Sequence, residues 1–293
     1  MTDWTDIAEQ IAAASGRSFA PQTPQHVGGG CINRAAVLAD GDTRWVVKLN
    51  DATRLDMFEA ERDGLDAMAA TDSIRVPRPL CCGVAGGQAF IAMEHIPLGG
   101  ASGITAERAG EQLAAMHRST AAAHGWHRDN TIGATPQPNT RDADWVRFWC
   151  ERRLGFQLHL AARSGFGGRL QKRGAQLLGR VGALLDHAPV PSLLHGDLWG
   201  GNIGGDADGN PVIFDPACYH GDREADIAMT ELFGGFGSRF YAAYNDAWPL
   251  DAGYATRKTL YNLYHILNHL NLFGGGYASQ AERMIDQLLA AVG

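Results

Sequence analysis

Two apolar runs that each end in an aspartate constrain this chain most: "LLHGDLWGGN" at 193–202 and "VIFDPA" at 212–217. A lone carboxylate at the end of a buried strand is costly unless something pairs with it. Asp197 and Asn202 stand five residues apart, and Asp215 follows Asp197 by 18 residues across the turn "GGDADGNP". A hairpin-like return of that length can gather Asp197, Asn202 and Asp215 around one small volume. Their oxygens suit Mg²⁺, a hard cation that usually shares such ligands with substrate phosphates. An aspartate not spent on metal can take the proton of an attacking hydroxyl.

The hydrophobic pattern divides the chain into a small strand-rich part and a larger helical one. Residues 4–15 read as an amphipathic helix with Trp4, Ile7, Ile11 and Ala14 on one stripe. Two short strands flank the glycine turn of "HVGGGCINRAAVL", and a second turn at "DGD" precedes a strand at 45–49. A helix over 53–70, an extended link through "TDSIRVPRPL", a strand over 88–96 and a linker at 97–103 follow. Helices are expected at 105–119, 142–162, 168–187, 223–233, 237–246, 254–272 and 278–291. The order predicts an α+β fold of two lobes, 1–97 and 98–293, and not a doubly wound sheet.

Composition sets the remaining bounds. Of 293 residues 45% are hydrophobic and 19% charged, which is a globular profile. The net charge of −7 argues against a nucleic-acid partner. No run of 18 apolar residues argues for a membrane span, and the first residues lack the basic start and apolar core of a signal peptide, so a cytoplasmic location is expected. Five cysteines without paired spacing make a disulfide framework or a structural zinc site an unattractive reading.

Lys48 closes "WVVK" on a strand that follows a glycine-rich turn, where a buried ammonium needs an anionic partner. Glu61 shares the inward face of the next helix with Phe58, Leu65 and Met68, whereas Glu59 lies on a mostly polar face. Glu61 is therefore the expected partner, with Glu59 the alternative. A glycine loop, a strand lysine, a helix glutamate, H-x-D-x-x-x-x-N and a later aspartate are, in that order, the parts of protein-kinase-like phosphoryl transfer. A Walker-type NTPase is disfavoured, because G-x-x-x-x-G-K-[ST] is absent from the sequence.

The stretches "GGGCINRAAVL", "FEAERDGL", "WHRDNTIGATPQPN", "LLHGDLWGGN" and "IFDPACYHGDREADIAMTELFGGF" resemble the fructosamine kinase (ketosamine 3-kinase) family, within the protein kinase-like and aminoglycoside phosphotransferase-like superfamily. The segment 212–236 is the most specific part of that resemblance. It implies a bilobal kinase-like fold, the cofactors ATP and Mg²⁺, and phosphorylation of the 3-hydroxyl of a free or protein-bound ketosamine. The product decays and frees the amine, so the implied role is deglycation repair. By the same resemblance Asp197 is the catalytic base, Asn202 and Asp215 hold magnesium, and Lys48 touches the α- and β-phosphates. Gly28, Gly29, Gly30 and Cys31 fall on the phosphate loop, and Met93, Glu94, His95 and Ile96 on the hinge that meets adenine.

Trp199 is positioned to stack on the sugar or amine stem, and Trp126 lies on a long loop that suits either substrate contact or plain loop structure, as do Gln137 and Asn139. The family commonly has Ser where Gly200 stands here, and "YYGHREAD" where this chain has "YHGDREAD". Asp222 in that motif is expected to favour a cationic amine. His195 and Asp226 read as supports of the catalytic loop, and His265 and His269 as core or polar-network histidines. Cys31 reads either as an inert thiol or as a redox-sensitive residue of the phosphate loop. An aminoglycoside phosphotransferase and a nucleotide-binding pseudokinase are the rival readings, while the oligomeric state and the preferred sugar stay open.

Overall fold

The structure is a computed structural model that describes residues 2–28, 32–99 and 103–293. Gly29, Gly30 and Cys31, expected on the phosphate loop, therefore lie outside the described residues.

Strands β1 (Gln25–Val27), β2 (Arg34–Asp40), β3 (Thr43–Asp51), β4 (Pro79–Ala85) and β5 (Gln88–Glu94) form one antiparallel sheet in the order β1-β2-β3-β5-β4. Two-residue turns close the β2–β3 and β4–β5 hairpins. At Gly86–Gly87 both residues have positive φ, 54° and 77°, as a turn matched to the strand twist demands. Side chains alternate across the sheet with the two-residue period of a strand. Val47 and Leu49 of β3 pack with Phe90 against Ile7 and Ile11 of α1 (Trp4–Ser15). Val46 packs on the opposite face, where α2 (Leu55–Ala70) buries Phe58, Leu65 and Met68. Lys48 therefore points towards α2, with Ile91 as its neighbour across the ladder.

The helical lobe begins with α3 (Gly103–His117) and continues through α4 (Trp145–Phe148), α5 (Gly155–Arg163), α6 (Gly168–Leu178), α7 (Val181–Leu184), α8 (Glu224–Leu232), α9 (Ser238–Ala247), α10 (Tyr254–Phe273) and α11 (Ala278–Ala291). Helix α10 is its axis and packs against α8, α11 and α5, while α3 packs against α9. Three small hairpins and pairings carry the loops. Strand β6 (Asn130–Ile132) pairs with β7 (Thr135–Gln137), β8 (Ser192–Leu194) with β11 (Tyr219–Gly221), and β9 (Ile203–Gly205) with β10 (Pro211–Ile213). Main chain joins the lobes, with Ile213 N donating to Arg75 O at 3.0 Å, and fixes the start of the second lobe, with Gly99 N on Gly205 O at 2.8 Å.

The fold is α+β with an antiparallel sheet lobe and a helical lobe, as the sequence predicts, and three elements differ in detail. The helix expected over 142–162 is interrupted by a wide π turn at Trp149–Leu154, and that over 168–187 divides around Gly179 and Arg180. The end of "TDSIRVPRPL" opens strand β4, which tolerates Pro79 and Gly83 because it is the sheet edge. Among the described residues no helix is long and apolar enough to cross a membrane.

His265, inside α10, is 4% exposed, and burial pushes its imidazole down to about 3. Its stabilising contribution is present above the unfolded value near 6.5 and is lost as pH falls below it, because only the unfolded chain takes up the proton. Equilibrium unfolding between pH 6.5 and 4.5 should show the loss of stability with acid reduced by about 1.4 kcal/mol per pH unit in His265→Gln. An unchanged slope would mean that His265 is not held neutral.

Candidate active site

Lys48 is 9% exposed, and its Nζ donates both to Glu61 Oε1 on α2 and to Asp215 Oδ1. Burial alone would lower its pKa, but the carboxylates of Asp215 and Glu61 more than offset that and hold it raised. Glu61 is thus the helix partner. Glu59 turns to the other side of α2, where it meets Arg128 at 3.3 Å.

The second half of the site is the loop after β8. Asn202 Nδ2 donates to the Asp197 carbonyl at 2.9 Å and reaches its carboxylate at 3.5 Å, which leaves Oδ1 of Asn202 as the atom a cation can use. Main-chain bonds fold the loop back, with Asn202 N on Trp199 O at 2.9 Å and Phe214 N on Asn202 O at 3.1 Å. The Asp197 carboxyl is pushed up to about 7 by burial first, then by the negative charges of Asp215 and Asp226. Hard oxygens from Asn202 and Asp215, the latter with its side chain 43% exposed, make a donor set that fits Mg²⁺.

His195 locks this loop to the Asp215 segment. Its ring lies 2.9 Å from the Phe214 carbonyl through Nε2, and Nδ1 is 3.2 Å from the Asp197 N–H. Nε2 must donate and Nδ1 accept, which is one neutral tautomer. Burial lowers the His195 pKa in keeping with that. Asp226 supports the same turn from below, accepting from His195 N at 2.7 Å, Gly196 N at 2.8 Å and His117 Nε2 at 3.2 Å. Burial would raise its carboxyl, but those donors hold it low. Gly196 has φ +83°, and a Cβ there would lie 2.1 Å from the Ala217 carbonyl oxygen, so the turn accepts no side chain.

The other expected residues are spread around this centre. Gly28 is exposed and directly follows β1. Met93 is buried near the end of β5, Glu94 ends the strand with its N–H on the Arg78 carbonyl at 2.8 Å, and His95 and Ile96 continue outside the sheet. Trp199 is 39% exposed and meets Phe233 edge-on at 6.4 Å. Phe233 in turn contacts His269, which neighbours Phe273 and Tyr277. Trp126 is 8% exposed and stacked on His220 at 5.0 Å, a packing position.

Asp222 corrects an expectation. It is 2% exposed and already accepts from His187 Nε2 at 2.7 Å, from the Tyr261 hydroxyl and from Glu224 N at 3.0 Å. No face is left to select a cationic amine, because neighbours in this chain satisfy the carboxylate. Beside it Glu224 holds the buried Arg257 at 2.6 and 2.8 Å, so the cluster of His187, Asp222 and Glu224 already contains its cation. Sequence reasoning missed His117, Arg128, Asn130 and Arg153. The last is fully buried, donates to the Pro138 carbonyl at 2.7 Å and to Asn139 at 2.8 Å, and lies over the Tyr219 ring at 4.0 Å. Only its place in an otherwise apolar helix face, "FWCERRL", hints at it.

Residues 3–291 match the family model described as fructosamine kinase. The chain belongs to the fructosamine kinase family. It is 49% identical over 288 residues to a "Probable ketoamine kinase" of Synechocystis sp., covering 98% of this chain and 97% of that one. It is 46% identical to the protein-ribulosamine 3-kinase of Arabidopsis thaliana, described as chloroplastic, over 90% of this chain and 81% of the relative. A crystal structure from Haemophilus somnus, named as a candidate fructosamine-3-kinase, superposes with a TM-score of 0.90 at 31% identity and covers 98% and 97% of the two chains. An aminoglycoside phosphotransferase solved with AMP-PNP and hygromycin B shares the fold, with a TM-score of 0.66 at 15% identity and 98% of each chain covered.

Asp226→Asn should set an amide N–H against one of the main-chain N–H groups that the carboxylate now accepts. Loss of a charged acceptor in a buried site predicts about 2–4 kcal/mol of destabilisation by denaturant unfolding. A loss below about 0.5 kcal/mol would show that the turn does not depend on Asp226.

Proposed function

We propose that the chain transfers the γ-phosphoryl group of ATP to the 3-hydroxyl of a ketosamine. The observation that carries this is the joining of Asp197 and Asn202 to the Asp215–Lys48 pair in one place, in a member of the fructosamine kinase family. Residues 1–97 supply the nucleotide side, with Lys48 on the α- and β-phosphates, Glu61 fixing it, Gly28 beside the phosphates, and Met93 to Ile96 beside adenine. Residues 98–293 supply Asp197 and the acceptor side. Asn202 and Asp215 would hold magnesium, which would neutralise charge on the phosphates.

Asp197 orients the acceptor hydroxyl and takes its proton as the new O–P bond forms and the bond from the γ-phosphorus to the bridging oxygen breaks, releasing ADP. Its raised pKa matches a base working near neutrality. Phosphoryl transfer asks for positioning and charge stabilisation above all, and the His195 and Asp226 contacts supply the first. Trp199, exposed beside the loop, offers a face to the sugar or amine stem. A 3-phosphate next to the carbonyl is a good leaving group: loss of a C1 proton and of the phosphate leaves an imine, and hydrolysis of its C=N bond by water frees the amine. The ribulosamine relative supports a ketosamine acceptor, and the fold neighbour solved with AMP-PNP supports ATP.

Turnover of Mg·ATP with ribulosyl-lysine, fructosyl-lysine and an aminoglycoside tests the reading. A ketosamine should be phosphorylated, and Asp197→Asn should lower kcat by roughly 10²–10⁴ with little change in the KM for ATP. Turnover of the aminoglycoside alone would assign the other acceptor class. ATP binding with no turnover on any acceptor would assign a pseudokinase.

A further inference from the structure

Residues 124–139 cross from the helical lobe to helix α2 and back. They rest on β11, with Gly125 N on His220 O at 2.8 Å and His220 N on Gly125 O at 2.9 Å. On the outward side Arg128 spans three acceptors of α2: Asp63 at 3.1 Å, Glu59 at 3.3 Å and the Asp56 carbonyl at 3.3 Å. His127 joins it on Asp63 at 3.2 Å. On the inward side Asn130 donates to the Cys218 carbonyl at 2.8 Å and Gln137 to the Ala217 carbonyl at 3.1 Å. Both carbonyls lie two and three residues beyond Asp215.

The two grips belong to one rigid piece. Asn130 and Gln137 face each other across the β6–β7 pair and are bonded at 2.8 Å. Asn139 donates to the same Asn130 oxygen at 2.8 Å, and the Tyr264 hydroxyl fixes Gln137 at 2.6 Å. Helix α2 also touches the Asp215 segment directly, since a Cβ on Gly64 would lie 3.0 Å from Cys218 Sγ. Glu61 is carried by the one gripped element and Asp215 by the other, and Lys48 must reach both at once.

We infer that residues 124–139 form a positioning strap that sets α2 against the Asp215 segment, and that Arg128 is the positioning residue through which the strap holds Glu61 in reach of Lys48. The inference rests on the assignment of Lys48, Glu61 and Asp215 to nucleotide and metal binding. Arg128 touches none of the reacting groups. Its side chain is 28% exposed, and partly exposed ion pairs contribute little to global stability. What it fixes is the rotation and height of a helix whose opposite face carries the glutamate.

Binding of AMP-PNP with Mg²⁺, measured by calorimetry on the full chain, gives the test as a double-mutant cycle. Arg128→Ala should weaken binding about tenfold with a small change in Tm. In a Glu61→Gln background the same substitution should change binding by less than about twofold, because its route of action is already gone. Lys48→Ala should weaken binding whatever the strap does. An equal loss from Arg128→Ala in both backgrounds, or none in either, overturns the strap while Lys48→Ala still reports a nucleotide site. Unchanged binding in Lys48→Ala overturns the site assignment and the strap with it.

Discussion

A buried ammonium with two carboxylates from opposite lobes is the constraint on which the remaining structure depends. Lys48 loses its water on β3, and leaving it unpaired would cost several kcal/mol. Glu61 and Asp215 answer that cost from α2 and from the segment after β10. Because each comes from a separate element, the pairing fixes the sheet, the helix and the loop relative to one another. Mutual repulsion between the two carboxylates is relieved only while the lysine stays between them. A phosphate arriving at Lys48 and a cation arriving at Asp215 can take over those charges without new groups being buried.

The helical lobe answers the same need around Asp197. Burial first, and then the charges of Asp215 and Asp226, raise the pKa of Asp197, and that crowding of carboxylates would push the loop apart if its backbone were not tied down. Asp226 ties it with two main-chain N–H groups, and His195 ties it to Phe214, the residue before Asp215. The neutral histidine adds no charge. The Asp222, His187, Glu224 and Arg257 network carries the support further into α10, well away from the reacting groups.

Much of this was legible in the sequence, for reasons that are local. The two-residue period of "RWVVKLN" sets Lys48 on the face of Val46, and the helical period sets Glu61 beside Phe58 and Leu65. The spacing of Asp197 and Asn202 predicts one tight loop, which the structure contains. What stayed hidden concerns polar groups whose burial is decided by distant partners. Asp222 looks like a pocket acid until His187 and Tyr261 are seen to satisfy it. Arg128 and Asn130 sit on a loop without period, so no pattern reveals that one reaches α2 and the other the Cys218 carbonyl. The π turn at Trp149–Leu154 and the division at Gly179 fall where the apolar pattern runs on, so the pattern alone shows neither.

The most direct test of the central claim is a crystal structure of the chain with Mg²⁺ and AMP-PNP. The account predicts that Lys48 keeps Glu61 but exchanges Asp215 for phosphate oxygens, while Asp215 and Asn202 Oδ1 take the metal. A nucleotide bound elsewhere, or a Lys48–Asp215 contact that persists beside bound nucleotide and metal, would contradict it.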